Sequence, residues 1–184
     1  MISLYVHVPF CRRKCAYCDF VSYAGRADAV EPYVGALVRE IAARAGILAG
    51  GVATVYFGGG TPSLLSPGQV SRVLAAVRAA GPLAGDCEIT LETNPGTAGA
   101  AALAGFRSAG VTRLSVGAQS FDDRFLARLG RIHRAVDTVR LLSEARAAGF
   151  DNIGLDLIFA LPGQTPADWR SDLQTAVSLR PDHV

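Results

Sequence analysis

The chain has 184 residues, half of them apolar and 18% charged, and 18 basic residues against 16 acidic ones leave a formal charge of +2. That is enough apolar material for one substantial core, which excludes a disordered chain, and the balanced charge without any run of five like charges gives no footing for a nucleic-acid surface. No stretch reaches the roughly 18 apolar residues of a membrane span and no signal-like leader opens the chain, so four cysteines point to a reducing, cytoplasmic setting, with peripheral membrane contact left open.

In chain order, Ile2 to Val8 alternates and is rich in β-branched residues, a strand that Pro9 closes just before Cys11. Pro32 opens a helix that continues to about Leu48, where Gly50 and Gly51 break it. Val52 to Phe57 is the second strand and runs into Gly58, Gly59, Gly60, Thr61 and Pro62; Ser66, Pro67 and Gln69 then offer a cap, a first-turn proline and a capping-box partner for a helix to about Ala79. Glu88 to Glu92 is the third strand, "TNPGT" a turn, and Ala98 to Ser108 a helix closed by Gly110. Thr112 to Val116 is the fourth strand. "GAQSFDD" supplies a loop with a cap at Ser120, and Arg134 to Ala148 the next helix. Asn152 to Phe159 is the fifth strand, "ALPGQTP" a loop, and Thr165, Pro166 and Asp168 open a helix to about Leu179, after which Arg180 to Val184 lead toward a sixth strand.

Such alternation demands a parallel sheet with helices outside it. Because the unusual residues fall just beyond successive strands, where a barrel gathers its site loops, the expectation is a partial (β/α) barrel in one domain, 1–184, cut near the sixth strand and incomplete at its C-terminal end.

Cys11, Cys15 and Cys18 bunch in "FCRRKCAYCDF". Three soft thiolates suit zinc, copper or iron–sulfur, and three could hold three corners of a [4Fe–4S] cube while leaving the fourth iron open. Spacing alone leaves three readings standing: an iron–sulfur cluster, a structural zinc site completed by His7, and unliganded core cysteines. Cys87 lies apart, at the front of the third strand, and reads as a core thiol.

"YVHVPFCRRKCAYCDF" resembles the cluster loop of radical S-adenosylmethionine enzymes. "YFGGGTPSLL", "ITLETNPGT", "VTRLSVGAQSFDDRFLARLGRIH" and "NIGLDLIFALPGQT" extend the likeness, in order, to the branch that contains oxygen-independent coproporphyrinogen III oxidases and related haem chaperones. The resemblance implies that the three cysteines ligate a [4Fe–4S] cluster whose unique iron takes S-adenosyl-L-methionine. It further implies methionine contacts from Gly59, Gly60 and Thr61, a cofactor site shared by Tyr5, Glu92, Gln119, Arg131 and Asp156, and a cover over the adenine from Tyr17. Read on their own, the glycines are a plain turn or a ligand approach with free N–H groups. Asp156, in the apolar run "GLDLIF", reads as a buried carboxylate in need of a ligand or of Arg131.

Within the branch, the oxidases carry another cysteine two positions beyond the cluster motif and a longer segment before it. Phe20 stands at that position here and ten residues precede Cys11, which favours a chaperone that binds haem and passes it to acceptor proteins. His133 in "GRIH" is a candidate haem ligand by residue type, though a cap or hydrogen-bonding histidine is the commoner occupant of such a place.

Overall fold

The computed structural model describes residues 1–184. The alternation in the first segment becomes β1 (Ile2–Val8), in which Val6 and Val8 are buried while Tyr5 and His7 point to the opposite face. After it, the two-residue strands β2 (Phe10–Cys11) and β3 (Tyr23–Ala24) pair in parallel and close the base of the cysteine loop. The helix expected to reach Leu48 is instead two: α1 (Val30–Ala43) and α2 (Ala45–Leu48), separated where Arg44 leaves helical geometry.

β4 (Val52–Gly59) runs two residues further than its β-branched stretch suggests, since Gly58 and Gly59 still pair with His7 and Val8. α3 (Pro67–Ala80) starts with the expected capping box, the Gln69 N–H donating to Ser66 Oγ and the Ser66 N–H to Gln69 Oε1. β5 (Leu83–Thr93) begins five residues early, with a register jump that sets Leu83 opposite Val52 and Glu88 opposite Thr54. α4 (Ala100–Ala109) ends at Gly110, whose φ of +109° only glycine adopts freely.

β6 (Arg113–Gln119) is longer than expected, and the short α5 (Asp123–Arg128) is capped by Asp122, not Ser120. Ser120 is fully buried and spends its hydroxyl proton on Asp172 Oδ2 at 2.9 Å. α6 (Ala135–Ala147), β7 (Asn152–Leu157) and α7 (Pro166–Ser178) complete the chain. β7 stops two residues before Phe159, which is exposed.

The five long strands form one parallel sheet in the order β1-β4-β5-β6-β7. Neighbours in space are thus successive in the chain, the winding of a barrel rather than the reversal of a doubly wound sheet. Asp182 and His183 begin the next parallel pairing, the Asp182 N–H donating to Ile153 O and the Leu155 N–H to His183 O.

One sheet face is apolar: Val55, Phe57, Ile89, Leu91, Leu114, Val116, Ile153 and Leu155 join one core cluster with Val34, Leu74, Leu103 and Phe106 of the helices. At ~25 cal/mol per Å2 of buried apolar surface, this layer is the main stabilising term. The concave face is polar, because the alternate residues there are Tyr5, His7, Tyr56, Glu92, Ser115, Gly117 and Asp156. Register puts Tyr5 beside Tyr56, Glu92 beside Ser115, and Gly117 beside Asp156.

Candidate metal centre and cofactor cleft

Across the C-terminal ends of the strands lies a cavity of about 390 Å3. Its rim carries Cys11, Cys15, Cys18 and Tyr17; its wall includes Gly59, Gly60, Thr61, Glu92, Gln119, Arg131 and Asp156. The structure therefore brings together eleven of the twelve residues that the resemblance implies for the cluster and S-adenosyl-L-methionine. The twelfth, Tyr5, lies on the same concave face just outside the cavity lining, its ring stacked on Tyr56 at 6.0 Å between centroids.

The cysteine loop is held by backbone at three points. Tyr23 N–H donates to Pro9 O at 2.7 Å, Ala16 N–H to Leu129 O at 3.1 Å, and Cys18 N–H to Cys15 O at 3.2 Å. Thr61 Oγ1 donates to Cys11 Sγ at 3.6 Å and Arg131 Nη1 to Cys15 Sγ at 3.7 Å. No three His, Cys, Asp or Glu side chains converge on a single-ion site, and His7 is turned away from the thiols. Its Nε2–H donates to Val21 O at 2.9 Å, which leaves Nδ1 to accept from the Tyr5 hydroxyl at 3.3 Å. The zinc reading completed by His7 is thereby lost, whereas a cubane, in which each thiolate holds a different iron, suits three thiols spread around one rim.

The glycines act by close approach rather than by free N–H groups, a correction to the sequence reading. A Cβ on Gly60 would sit 2.7 Å from Phe10 O and 3.0 Å from Cys11 Sγ, and one on Gly59 would sit 2.6 Å from His7 Cε1. The Gly60 N–H donates to Val8 O at 2.8 Å and the Gly59 N–H to Glu92 Oε2 at 3.2 Å, so both are taken. Side chains here would push the cysteine loop off the strand ends.

Glu92 also accepts from the Tyr56 hydroxyl at 2.8 Å. Burial raises its pKa above the ordinary carboxylate range, opposed by these two donors. Burial raises the Tyr56 phenol too, and donation to Glu92 raises it further. Asp156 departs from expectation: it is exposed at the cavity, accepts from Ser115 Oγ at 3.0 Å, and is not paired with Arg131. Its concave face is open because five strands do not close a barrel. Arg131 spends its Nη2 on Asn94 Oδ1 and Gly117 O, with Nε buried and unpartnered. Asn94, Tyr56 and Ser115 also line the cavity. Nothing in their types flags them; register sets Tyr56 beside Tyr5 and Ser115 beside Glu92, and Asn94 follows the end of β5.

His133 is buried, donates from Nε2 to Ala118 O at 3.3 Å, and leaves Nδ1 buried without a partner. The geometry is that of a hydrogen-bonding histidine. Burial, aided by the Arg131 charge, pushes its pKa down to about 4. Cys87 is the fifth residue of β5, against the core and outside the cavity, and burial raises its thiol pKa.

Compared with known families, residues 5–176 match the Radical SAM superfamily. The chain belongs to that superfamily. It is 42% identical over 185 residues to the heme chaperone HemW of Escherichia coli K12, covering 100% of this chain and 49% of that protein. To the mitochondrial radical S-adenosyl methionine domain-containing protein 1 of Bos taurus it is 43% identical, covering 99% of this chain and 41% of that one. The solved structure of coproporphyrinogen III oxidase (HemN) from E. coli superposes with a TM-score of 0.90 at 35% identity, over 98% of this chain and 42% of that chain. The chain thus spans about half the length, or less, of these relatives, and its identity to HemW exceeds that to HemN. Radical S-adenosylmethionine chemistry on a [4Fe–4S] cluster goes with the superfamily, and the donor set described above fits it. No helix is long and apolar enough to cross a membrane.

Proposed function

We propose that residues 1–184 form the core domain of a haem chaperone of the HemW type, which binds haem and hands it to acceptor proteins. The observation that carries the cluster and cofactor part of this reading is that three thiols and a set of opposed charges share one cleft. Cys11, Cys15 and Cys18 hold the cluster. Gly59, Gly60 and Thr61 wall the methionine part of S-adenosyl-L-methionine, Asp156 meets the ribose, and Glu92 and Gln119 complete the wall, while Arg131, its donors already engaged, lends the cleft its positive charge. Tyr17 covers the adenine, and Tyr5 braces Tyr56. When bound, the cluster and the sulfonium supply single-electron chemistry; the chain's own groups position and shield. Four unpaired cysteines support a reducing, cytoplasmic setting.

Phe20, in the place of the oxidases' additional cysteine, and the higher identity to HemW support a chaperone over an oxidase. The test takes the full-length protein, anaerobic, with cluster, S-adenosyl-L-methionine and reductant. Mass analysis should find coproporphyrinogen III unchanged, and haem should pass from the protein to an apo-acceptor. Formation of protoporphyrinogen IX defeats the proposal in favour of the oxidase.

A further inference from the structure

The two thiols that receive hydrogen bonds are joined by a single chain of donors. Arg131 donates to Cys15 Sγ from Nη1 and to Asn94 Oδ1 from Nη2; Asn94 Nδ2 donates to Thr61 Oγ1 at 3.0 Å; Thr61 Oγ1 donates to Cys11 Sγ at 3.6 Å. The direction of every link follows from chemistry. A guanidinium only donates, so the Asn94 atom facing it must be the carbonyl oxygen, which turns the amide N–H2 toward Thr61. That N–H occupies a lone pair of the Thr61 oxygen and leaves its one proton for the sulfur.

Asn94 is held in place on both sides. Pro95 and Gly96, with φ +82°, form a turn closed by the Thr97 N–H on Asn94 O at 3.1 Å. At Gly117 a Cβ would lie 2.6 Å from Asn94 Oδ1 and 3.2 Å from Arg131 Nη2, so the absence of a side chain there makes room for the pair.

Resting on the cluster assignment above, we propose that Asn94 is a positioning residue that sets the reduction potential of the cluster by aiming the Thr61 hydroxyl at Cys11 and the Arg131 guanidinium at Cys15. Hydrogen bonds to ligand sulfurs withdraw electron density and stabilise the more negative, reduced cluster, raising its potential. Asn94→Ala frees the Thr61 hydroxyl and takes from Arg131 one of the two acceptors that hold its Nη2, leaving Gly117 O. Asn94→Asp keeps the shape and the Arg131 contact, but an acceptor-only carboxylate takes the Thr61 proton away from Cys11 and adds a negative charge.

The experiment is an anaerobic redox titration of the reconstituted protein followed by electron paramagnetic resonance, with iron and sulfide counted in the same samples. The expected order of potentials is wild type, then Asn94→Ala, then Asn94→Asp, with the last shifted about tenfold in the one-electron equilibrium, or ~59 mV. Thr61→Val should lower the potential while Thr61→Ser keeps it, and Asn94→Ala should add less on the Thr61→Val background than on the wild type because the two share one path. Equal potentials in cluster-bearing wild type and Asn94 variants overturn the inference. If the Asn94 variants hold no cluster, the Thr61 pair decides: equal potentials for Thr61→Val and Thr61→Ser overturn it. A wild type without a cluster instead overturns the functional reading beneath.

Discussion

The sheet and the cysteine loop are built on opposite terms. Around β4 and β5, Val55, Phe57 and Leu91 are at most 1% exposed and packed on helices; between Pro9 and Val30, Tyr17, Phe20, Val21 and Tyr23 are all exposed and the backbone is tied down at a few points. The sheet is ordered by what it buries, the loop by what its sulfurs are aimed at. The same contrast separates stability from function: the apolar face can be damaged only at the expense of the fold, while the polar rim can be edited with the fold intact.

The largest effect should come from breaking the buried side. Phe57→Ala removes a fully buried ring from the middle of the sheet and should cost about 3–5 kcal/mol of unfolding free energy, read from denaturant midpoints. An unchanged midpoint would mean the core does not rest on this layer.

A smaller effect should appear where the two regions meet, at His133. Its folded pKa is held near about 4 against an ordinary 6.5, so the unfolded chain takes up the proton first. Stability contributed by the neutral ring is complete above about pH 6.5, declines as pH falls toward about 4, and does not change further below that. His133→Asn should flatten that decline by ~1–3 kcal/mol across the window, seen in urea midpoints measured at several pH values. Parallel profiles for the two proteins would show that the ring is not buried neutral.

The smallest effect on stability should come from the loop. Cys18→Ser in the metal-free protein should move the midpoint by no more than ~0.5 kcal/mol, in contrast to Phe57→Ala. A loss of several kcal/mol would place the loop in the folding core.

What was legible in the sequence follows the same division. Strands and helices with clear apolar alternation or a cap were readable to within a few residues: β1, the Ser66 capping box of α3 and the Gly110 stop of α4 all stand where side-chain spacing puts them. Ser120 has the residue type of a cap, and its tertiary partner, Asp172, lies 52 residues away where local sequence does not show it. The glycine run leaves a plain turn and a ligand approach with free N–H groups both open, because sequence does not show that Val8 O and Glu92 already occupy two of those groups. Asp156 is exposed although its apolar run predicts burial, because such a run does not reveal that the concave side is open. The cysteines and Arg131 were found by residue type and family likeness; Asn94, which joins Arg131 to Thr61, is visible only once strands meet.

The most direct measurement is the iron and acid-labile sulfide content of the anaerobically reconstituted protein and its four single Cys→Ser variants. About four of each per chain is expected for the wild type and for Cys87→Ser, and loss of the cluster for Cys11→Ser, Cys15→Ser and Cys18→Ser. Zinc alone in the wild type, or a cluster that survives loss of any of those three thiols while failing without Cys87, would contradict the account.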